Sequence, residues 1–272
     1  MRRAGGDVVL WAFEPEVVAG INSAHENATY LPGTTLDAEI RATGDIGETA
    51  GADILLLAAP AQHLRATMAP LAGRLPANVP LIICAKGIEQ TTGALMSEAV
   101  AADFPDNPVL ILSGPTFASE VAAGLPAAVT LAGDDADLTA GLAETLSSDR
   151  FRPYTSDDVI GAQIGGAIKN VLAIACGIAE GRGFGDNTRA ALITRGLAEL
   201  TRLCLAKGGR AETMMGLSGL GDLVLTCTST QSRNYSLGFA LGEGRTLQDI
   251  LGERRSVAEG VYTASAARDL AE

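Results

Sequence analysis

Short apolar runs alternate with helical patterns over the first half of the sequence. Five runs are brief, aliphatic and bounded by turn residues, which predicts strands at 8–11, 54–58, 81–84, 109–112 and 127–131. Apolar positions at helical spacing predict helices between them, at 15–24, 62–75, 91–102 and 136–146. Strands alternating with helices predict an α/β domain whose doubly wound, mostly parallel sheet is covered on both faces.

The pattern changes after residue 155. Ser156, followed by Asp157 and Asp158, predicts a helix start, with a capping hydroxyl and acids placed well against the helix dipole. Helical patterns continue at 156–181, 189–206, 232–241 and 247–251, and no strand is predicted. We therefore expect a sheet domain at 1–155 and an all-helical domain at 156–272.

The segment 160–178 is the most apolar long stretch of the chain. It carries Gln163, Lys169 and Asn170 at its centre, groups that are costly inside a membrane. This favours a buried core helix over a membrane span.

Composition indicates a soluble globular protein. Of 272 residues, 47% are hydrophobic and 19% charged, enough apolar material for a core and too little charge for disorder. The net charge of −12, without a local basic patch, argues against nucleic acid or an anionic membrane as partner. The first residues lack the apolar run of a secretory signal, so we expect a cytoplasmic protein.

The cysteines and histidines do not form a pattern that binds metal. Cys84, Cys176, Cys204 and Cys227 lie far apart without a C-x-x-C spacing, and the two histidines are not at ligand spacing from them. We predict no metal site and no Ser-His-Asp triad. The even count permits disulfides, but free buried thiols in a reducing compartment are favoured.

Lys169 is the most informative single residue. The surrounding turns offer only small or aliphatic side chains, so its ammonium is either desolvated, with a lowered pKa, or faces a polar cleft. Both situations suit proton transfer. Gly165 and Gly166 would let a backbone or a ligand approach this helix. The alternative is a lysine that reaches the surface from a buried helix.

A second group of candidates follows in the helical half. Asp222 lies between glycines and an aliphatic run, where it is either a site carboxylate or a turn residue. Ser232, Arg233 and Asn234 open a helix, whose free N–H groups together with an arginine suit a phosphate. A simple capped surface helix is the alternative.

Polar turns also follow two predicted strands. Lys86 comes after 81–84, and Gly114 and Thr116 come after 109–112. Because ligands bind at the carboxyl ends of strands in open α/β sheets, these residues predict one edge of a cofactor or substrate crevice.

Taken in order, six strings resemble bacterial NAD(P)-dependent glycerol-3-phosphate dehydrogenases. The strings are Ala-Lys-Gly at 85–87, Ser-Gly-Pro-Thr-Phe-Ala at 113–118, Gly-Gly-Ala-Ile-Lys-Asn at 165–170, Ala-Leu-Ile-Thr-Arg-Gly at 191–196, Gly-Leu-Gly-Asp-Leu at 219–223 and Gln-Ser-Arg-Asn at 231–234. The resemblance covers essentially the whole chain. It implies a Rossmann-like dinucleotide-binding domain followed by a helical domain of the 6-phosphogluconate dehydrogenase C-terminal type.

The resemblance implies reduction of dihydroxyacetone phosphate to sn-glycerol 3-phosphate with NADH or NADPH, for glycerophospholipid biosynthesis, by a cytoplasmic homodimer. Lys169 matches the catalytic position. Substrate-binding positions match Lys86, Gly114, Thr116, Lys169, Asp222, Ser232, Arg233 and Asn234. Cofactor-binding positions match Phe13, Lys86, Ala118, Arg233, Val257 and Glu259.

The sequence also departs from the family pattern. It contains neither the family's first strand nor its G-x-G-x-x-G turn, and it ends early. Because that turn holds the diphosphate, we expect weak cofactor affinity for the chain as written, and neighbouring strands without a partner. Phe13 stands where the family commonly has a basic residue, and Glu14 follows it. Glu14 would suit ribose hydroxyls and disfavour a 2′-phosphate, but the choice between NAD and NADP stays open.

Two other functions remain as alternatives. One is a non-catalytic descendant that binds a small phosphorylated metabolite or a protein partner. The other is a related reductase of the hydroxyacid or 6-phosphogluconate type, which would not be expected to combine the strings at 219–223 and 231–234.

Overall fold

The computed structural model describes residues 1–253 and 259–271. Its strands are β1 (Val9–Trp11), β2 (Arg41–Thr43), β3 (Leu55–Leu57), β4 (Leu81–Ile83), β5 (Val109–Ser113), β6 (Ala127–Ala132) and β7 (Phe151–Ser156). Its α-helices are α1 (Pro15–Ala24), α2 (Ala61–Met68), α3 (Met96–Asp103), α4 (Ala118–Ala122), α5 (Ala136–Leu146), α6 (Val159–Gly181), α7 (Gly185–Ala206), α8 (Ala211–Met214), α9 (Asp222–Thr228), α10 (Arg233–Gly242), α11 (Leu247–Glu253) and α12 (Glu259–Ala271).

The strands form a mostly parallel sheet region, as the sequence pattern predicts. β1 pairs with β2 in parallel, and a second sheet has the order β3-β4-β5-β6-β7, in which only the β5–β6 pair is antiparallel. Within the described residues β1 pairs only with β2, and β3 only with β4.

The five-stranded sheet has an apolar core on each face. Along β4, Leu81 and Ile83 belong to one buried cluster and Ile82 to another, because successive side chains of a strand point to opposite faces. The first cluster includes side chains of α2 and α3, and the second includes side chains of α5. The prediction that both faces are covered is confirmed.

The helical part is built around α6. Its closest neighbour is α10, and the two helices meet at glycines, because a Cβ at Gly177 would overlap the carbonyl oxygen of Tyr235 and one at Gly238 that of Ile174. Among the described residues α6 is also a helix long and apolar enough to cross a membrane, but 61% of its apolar window is buried inside the protein. The prediction of a buried core helix is confirmed.

The start of α6 differs in detail from the prediction. The N-cap is Asp158 rather than Ser156. Ser156 is the last residue of β7, and its hydroxyl accepts a hydrogen bond from the Asp158 N–H. The Asp158 carboxylate accepts from the N–H groups of Gly161 and Arg210 and from the Thr213 hydroxyl. A carboxylate takes more donors than a hydroxyl does, so this cap also anchors α8 to α6.

Candidate active site

Two lysine side chains from distant parts of the chain meet at one buried carboxylate. Lys169 lies in the middle of α6 and is 6% exposed, and its Nζ is paired with Oδ1 of Asp222, the fully buried first residue of α9. Lys86, which follows β4, places its Nζ 2.7 Å from the other oxygen of Asp222 and 3.3 Å from the carbonyl oxygen of Gly114. Because Lys169 is buried and paired, the alternative of a lysine reaching the surface is wrong.

Two close approaches bring this cluster together. Residues Leu217–Gly221 form a π-helical turn that leads into Asp222, and a Cβ at Gly165 would overlap the Ser218 carbonyl oxygen of that turn. A Cβ at Gly166 would lie 3.0 Å from Oγ of Ser113 and 3.4 Å from Cγ of Lys86. The paired glycines of α6 thus admit a backbone on one side and a lysine stem on the other, in agreement with the sequence argument.

The two lysines differ in proton affinity. Burial, together with the positive charge of Lys86, lowers the pKa of Lys169 to about 7, although Asp222 acts against this shift. Burial also disfavours the charged form of Lys86, but the Asp222 carboxylate outweighs it and raises the pKa of Lys86 above its usual value. At neutral pH Lys86 therefore holds a fixed positive charge, while Lys169 can gain or lose a proton.

The residues that follow the strands meet as predicted. Lys86 and Thr116 both donate hydrogen bonds to the carbonyl oxygen of Gly114, each over 3.3 Å. Gly114 has no room for a side chain, because a Cβ would lie 2.9 Å from the Cα of Val129 on β6. The turn after β5 thus packs on the sheet and presents its carbonyl oxygen to Lys86.

The start of α10 has the predicted cap. The Ser232 hydroxyl accepts from the Tyr235 N–H over 3.2 Å, and the amide oxygen of Asn234 accepts from the Gly260 N–H over 3.0 Å. The positive charge of Arg233 acts to lower the pKa of Glu259 and that of Tyr30.

Three further positions matched to cofactor contacts belong to the described residues and lie outside α10. Ala118 begins α4, where the neighbouring Ser119 hydroxyl donates to Gln231 over 3.2 Å. Glu259 begins α12 and accepts from the Ala61 N–H over 3.3 Å. Burial raises the pKa of Glu259, while the Ala61 N–H and the charges of Arg233, Lys86 and Lys169 act the other way. Phe13 is 81% exposed at the carboxyl end of β1, and Val257 lies outside the described residues.

Three buried hydroxyls around this region have no hydrogen-bond partner within the described part of the chain: Ser113, Ser218 and Thr263. Their side chains belong to residues that are at most 3% exposed. Buried hydroxyls are normally satisfied, so these are groups that a polar ligand can engage. Together with two ammonium groups and a guanidinium, this donor set fits a phosphorylated substrate and a nicotinamide dinucleotide.

Sequence reasoning missed several of these groups. The Thr226 hydroxyl donates to the Asp222 carbonyl oxygen over 2.6 Å and lies 3.4 Å from Oδ1 of the same residue. Its spacing of four residues from Asp222 on one helix is a signal that could have found it. Ser218 and Thr263 offer no comparable pattern, because ordinary surface positions have the same residue types.

Comparison with known proteins identifies the family. The family model described as NAD-dependent glycerol-3-phosphate dehydrogenase N-terminus matches residues 1–139, and the model for the C-terminus matches residues 158–272. The glycerol-3-phosphate dehydrogenase [NAD(P)+] of Rhodospirillum rubrum is 60% identical over 99% of this chain and 78% of its own length. That of Paramagnetospirillum magneticum is 64% identical over 86% of both chains. The chain belongs to this family.

Solved structures agree with this assignment. The glycerol-3-phosphate dehydrogenase of Coxiella burnetii has a TM-score of 0.95 and 38% identity, over 99% of this chain and 83% of its own. A complex of D-mandelate dehydrogenase with NADH has a TM-score of 0.62 at 15% identity, which shows a shared fold alone. The Rossmann-like and helical domain types expected from the resemblance are confirmed, and the hydroxyacid-reductase alternative is not supported.

Proposed function

We propose that this chain is an oxidoreductase that reduces dihydroxyacetone phosphate to sn-glycerol 3-phosphate with NADH or NADPH, in glycerophospholipid biosynthesis. The observation that carries the proposal is the buried Asp222 carboxylate held between Lys169 and Lys86. In this arrangement Lys169 can exchange a proton at neutral pH, and Lys86 keeps its positive charge. The alternative of a non-catalytic descendant is not favoured, because the similar curated proteins and the similar solved structure are named as glycerol-3-phosphate dehydrogenases.

The chemistry follows from the two lysines. When bound, the reduced nicotinamide supplies the hydride that attacks the ketone carbon. Lys169 donates a proton to the oxygen as negative charge develops on it, and in the oxidation direction its neutral amine accepts that proton. Lys86 stabilises the developing charge, and Asp222 fixes the position of both ammonium groups.

The phosphate of the substrate lies, in this proposal, at the start of α10. Arg233 supplies the charge, and the free N–H groups of the first helical turn add donors. Ser232 and Asn234 use their oxygen atoms to hold this turn in place, which leaves the Asn234 NH₂ group to face the substrate. Gly114 and Thr116 complete the opposite wall of the crevice.

We assign the dinucleotide to the carboxyl ends of the strands. Lys86, Ala118 and Arg233 would lie along it, with Glu259 next to the reactive end and Phe13 next to the adenosine end. Val257 belongs to the same proposal through its match to the family pattern.

We also propose the division into domains at 1–155 and 156–272, with the chain acting as a cytoplasmic homodimer without membrane insertion. Sheet residues end at Ser156, and only helices follow among the described residues. All four cysteines are free, which suits a reducing compartment. Exposed Phe184 and Leu205, at the two ends of α7, supply apolar surface for a second copy.

The test is an assay of the purified chain with dihydroxyacetone phosphate and NADH. We expect oxidation of NADH at 340 nm that requires the substrate, with sn-glycerol 3-phosphate identified as product by NMR. Dihydroxyacetone without the phosphate should react at least tenfold less efficiently in kcat/KM. The Arg233→Ala variant should raise KM for the phosphorylated substrate at least tenfold, whereas Arg202→Ala on the exposed face of α7 should not.

Absence of substrate-dependent oxidation with both nucleotides would contradict the proposed activity. An unchanged KM in Arg233→Ala would contradict only the location of the phosphate.

A further inference from the structure

We infer that Gly260 is a positioning residue, which couples the binding of the dinucleotide to the binding of the substrate through the first turn of α12. This inference rests on the proposed function, because it concerns the two ligands of that reaction. Gly260 is buried and has no side chain, so it acts through Glu259, its neighbour in the chain, and through Asn234, its hydrogen-bond partner.

On the substrate side, Gly260 holds the side-chain amide of Asn234. The Gly260 N–H donates to Oδ1 of Asn234 over 3.0 Å, and Asn234 is only 8% exposed. Because the amide oxygen accepts this bond, the NH₂ group of the same amide is turned away from Gly260 and can donate to a ligand. The proposed substrate site at the start of α10 uses that NH₂ group, so its orientation depends on where α12 begins.

On the cofactor side, the first turn of α12 is tied to the sheet. The Glu259 carboxylate accepts from the N–H of Ala61, which is the first residue of α2 and follows β3, over 3.3 Å. The side-chain amide of Gln90, which follows β4, donates to the carbonyl oxygen of Tyr262 over 3.1 Å. The dinucleotide is assigned to the carboxyl ends of these strands, so its binding fixes the first turn of α12.

The packing of α12 on α6 and α10 requires a glycine at position 260. A Cβ there would lie 2.7 Å from the carbonyl oxygen of Asn170 and 2.8 Å from Oδ1 of Asn234. Asn170 follows Lys169 in the middle of α6, and its carbonyl belongs to the backbone of that buried helix, so it cannot move aside easily. A side chain at position 260 would therefore push the first turn of α12 away and break its bond to Asn234.

An element that contacts both sites makes the two ligands bind cooperatively. The first ligand orders the first turn of α12 and the Asn234 amide, and the second ligand finds them already ordered. Coupling between two sites is reciprocal, so each ligand tightens the binding of the other by the same factor. NADH and sn-glycerol 3-phosphate are both in the reduced form and do not react with each other, so their joint binding can be measured at equilibrium.

The test is isothermal titration of the purified chain with sn-glycerol 3-phosphate, with and without saturating NADH, together with the reverse titration. We expect NADH to tighten the binding of sn-glycerol 3-phosphate at least fivefold, with the same factor in the reverse titration. Gly260→Ala should reduce this factor to below twofold. It should also raise KM for dihydroxyacetone phosphate at least fivefold and keep kcat within threefold, because Lys169 and Asp222 stay in place. A general structural defect would lower kcat as well.

The matched control is Gly252→Ala on α11, because Gly252 is exposed and a Cβ there has no atom within 4 Å. This variant should keep the wild-type coupling factor and the wild-type KM. Amide hydrogen exchange is a second measurement that needs no variant, and it decides if Gly260→Ala does not fold. Each ligand alone should slow the exchange of the Gly260 N–H at least fivefold.

Three results would overturn the inference: a wild-type coupling factor near one, a factor that Gly260→Ala leaves unchanged, or exchange at Gly260 that neither ligand slows. The proposed function is tested separately, by the oxidation of NADH with dihydroxyacetone phosphate in the wild type. Oxidation without coupling would leave the proposed function standing, whereas absence of oxidation would contradict it.

Discussion

At the scale of single residues, the active site depends on how burial and neighbouring charges give two lysines different pKa values. Lys169 gains its lowered pKa mainly from burial in α6, whereas the Asp222 carboxylate keeps Lys86 charged despite burial. The sequence could predict that Lys169 is unusual, because apart from Asn170 its nearest neighbours along the chain are small or aliphatic. It could not predict that Lys86 and Lys169 share one carboxylate, because three distant segments create that contact only in the fold.

The pH dependence of the reaction follows from Lys169. Its protonated form, required to reduce the ketone, is lost as the pH rises through about 7, the pKa set by burial and Lys86. We expect kcat/KM for reduction to fall by up to tenfold per pH unit above this value, and kcat/KM for oxidation to rise with pH up to the same value. Initial rates in both directions from pH 5.5 to 9.5 test this. Parallel profiles in the two directions would contradict the assignment.

At the scale of elements, the close packing of α6 against α10 depends on glycines, and the pattern of hydrophobic and polar positions does not predict this contact. The sequence predicts α6 and α10 nearly to their ends, but not that their backbones touch at Gly177 and Gly238. It also misses β2, which has three residues, and β7, whose polar residues and Pro153 suit an edge strand. The predicted helix 62–75 ends instead at Met68, and Pro70 follows in a short 3₁₀ turn.

The helix crossing gives a stability prediction. Gly177→Ala places a Cβ on the Tyr235 carbonyl oxygen, so we expect a loss of about 1–3 kcal/mol in the free energy of unfolding. Gly141→Ala is the matched control, because Gly141 lies exposed within α5 with no atom near its Cβ position. This variant should gain about 0.5–1 kcal/mol. Urea unfolding of both variants measures the difference, and a Gly177→Ala protein as stable as Gly141→Ala would show that the helices are not in close contact.

At the scale of the whole molecule, the site lies where the sheet and the helices meet. Lys86 and Gly114 come from turns that follow strands, whereas Lys169 and Asp222 come from α6 and α9. The sequence predicts both groups of residues, and it predicts a sheet part followed by a helical part, because short stretches of sequence indicate each of these features. Two features of the site depend on tertiary packing, which no local sequence pattern encodes. One is the pairing of Lys86 and Lys169 with Asp222, and the other is the set of buried hydroxyls without a hydrogen-bond partner among the described residues, at Ser113, Ser218 and Thr263.

The central claim is that Lys169 transfers the proton. The most direct measurement compares single-turnover oxidation of NADH by dihydroxyacetone phosphate in the wild type and in Lys169→Ala, with substrate binding measured separately by calorimetry and folding checked by circular dichroism. We predict that the variant loses at least a thousandfold in rate, while its dissociation constant for the substrate changes less than tenfold. A folded Lys169→Ala variant that turns over at the wild-type rate would contradict the account.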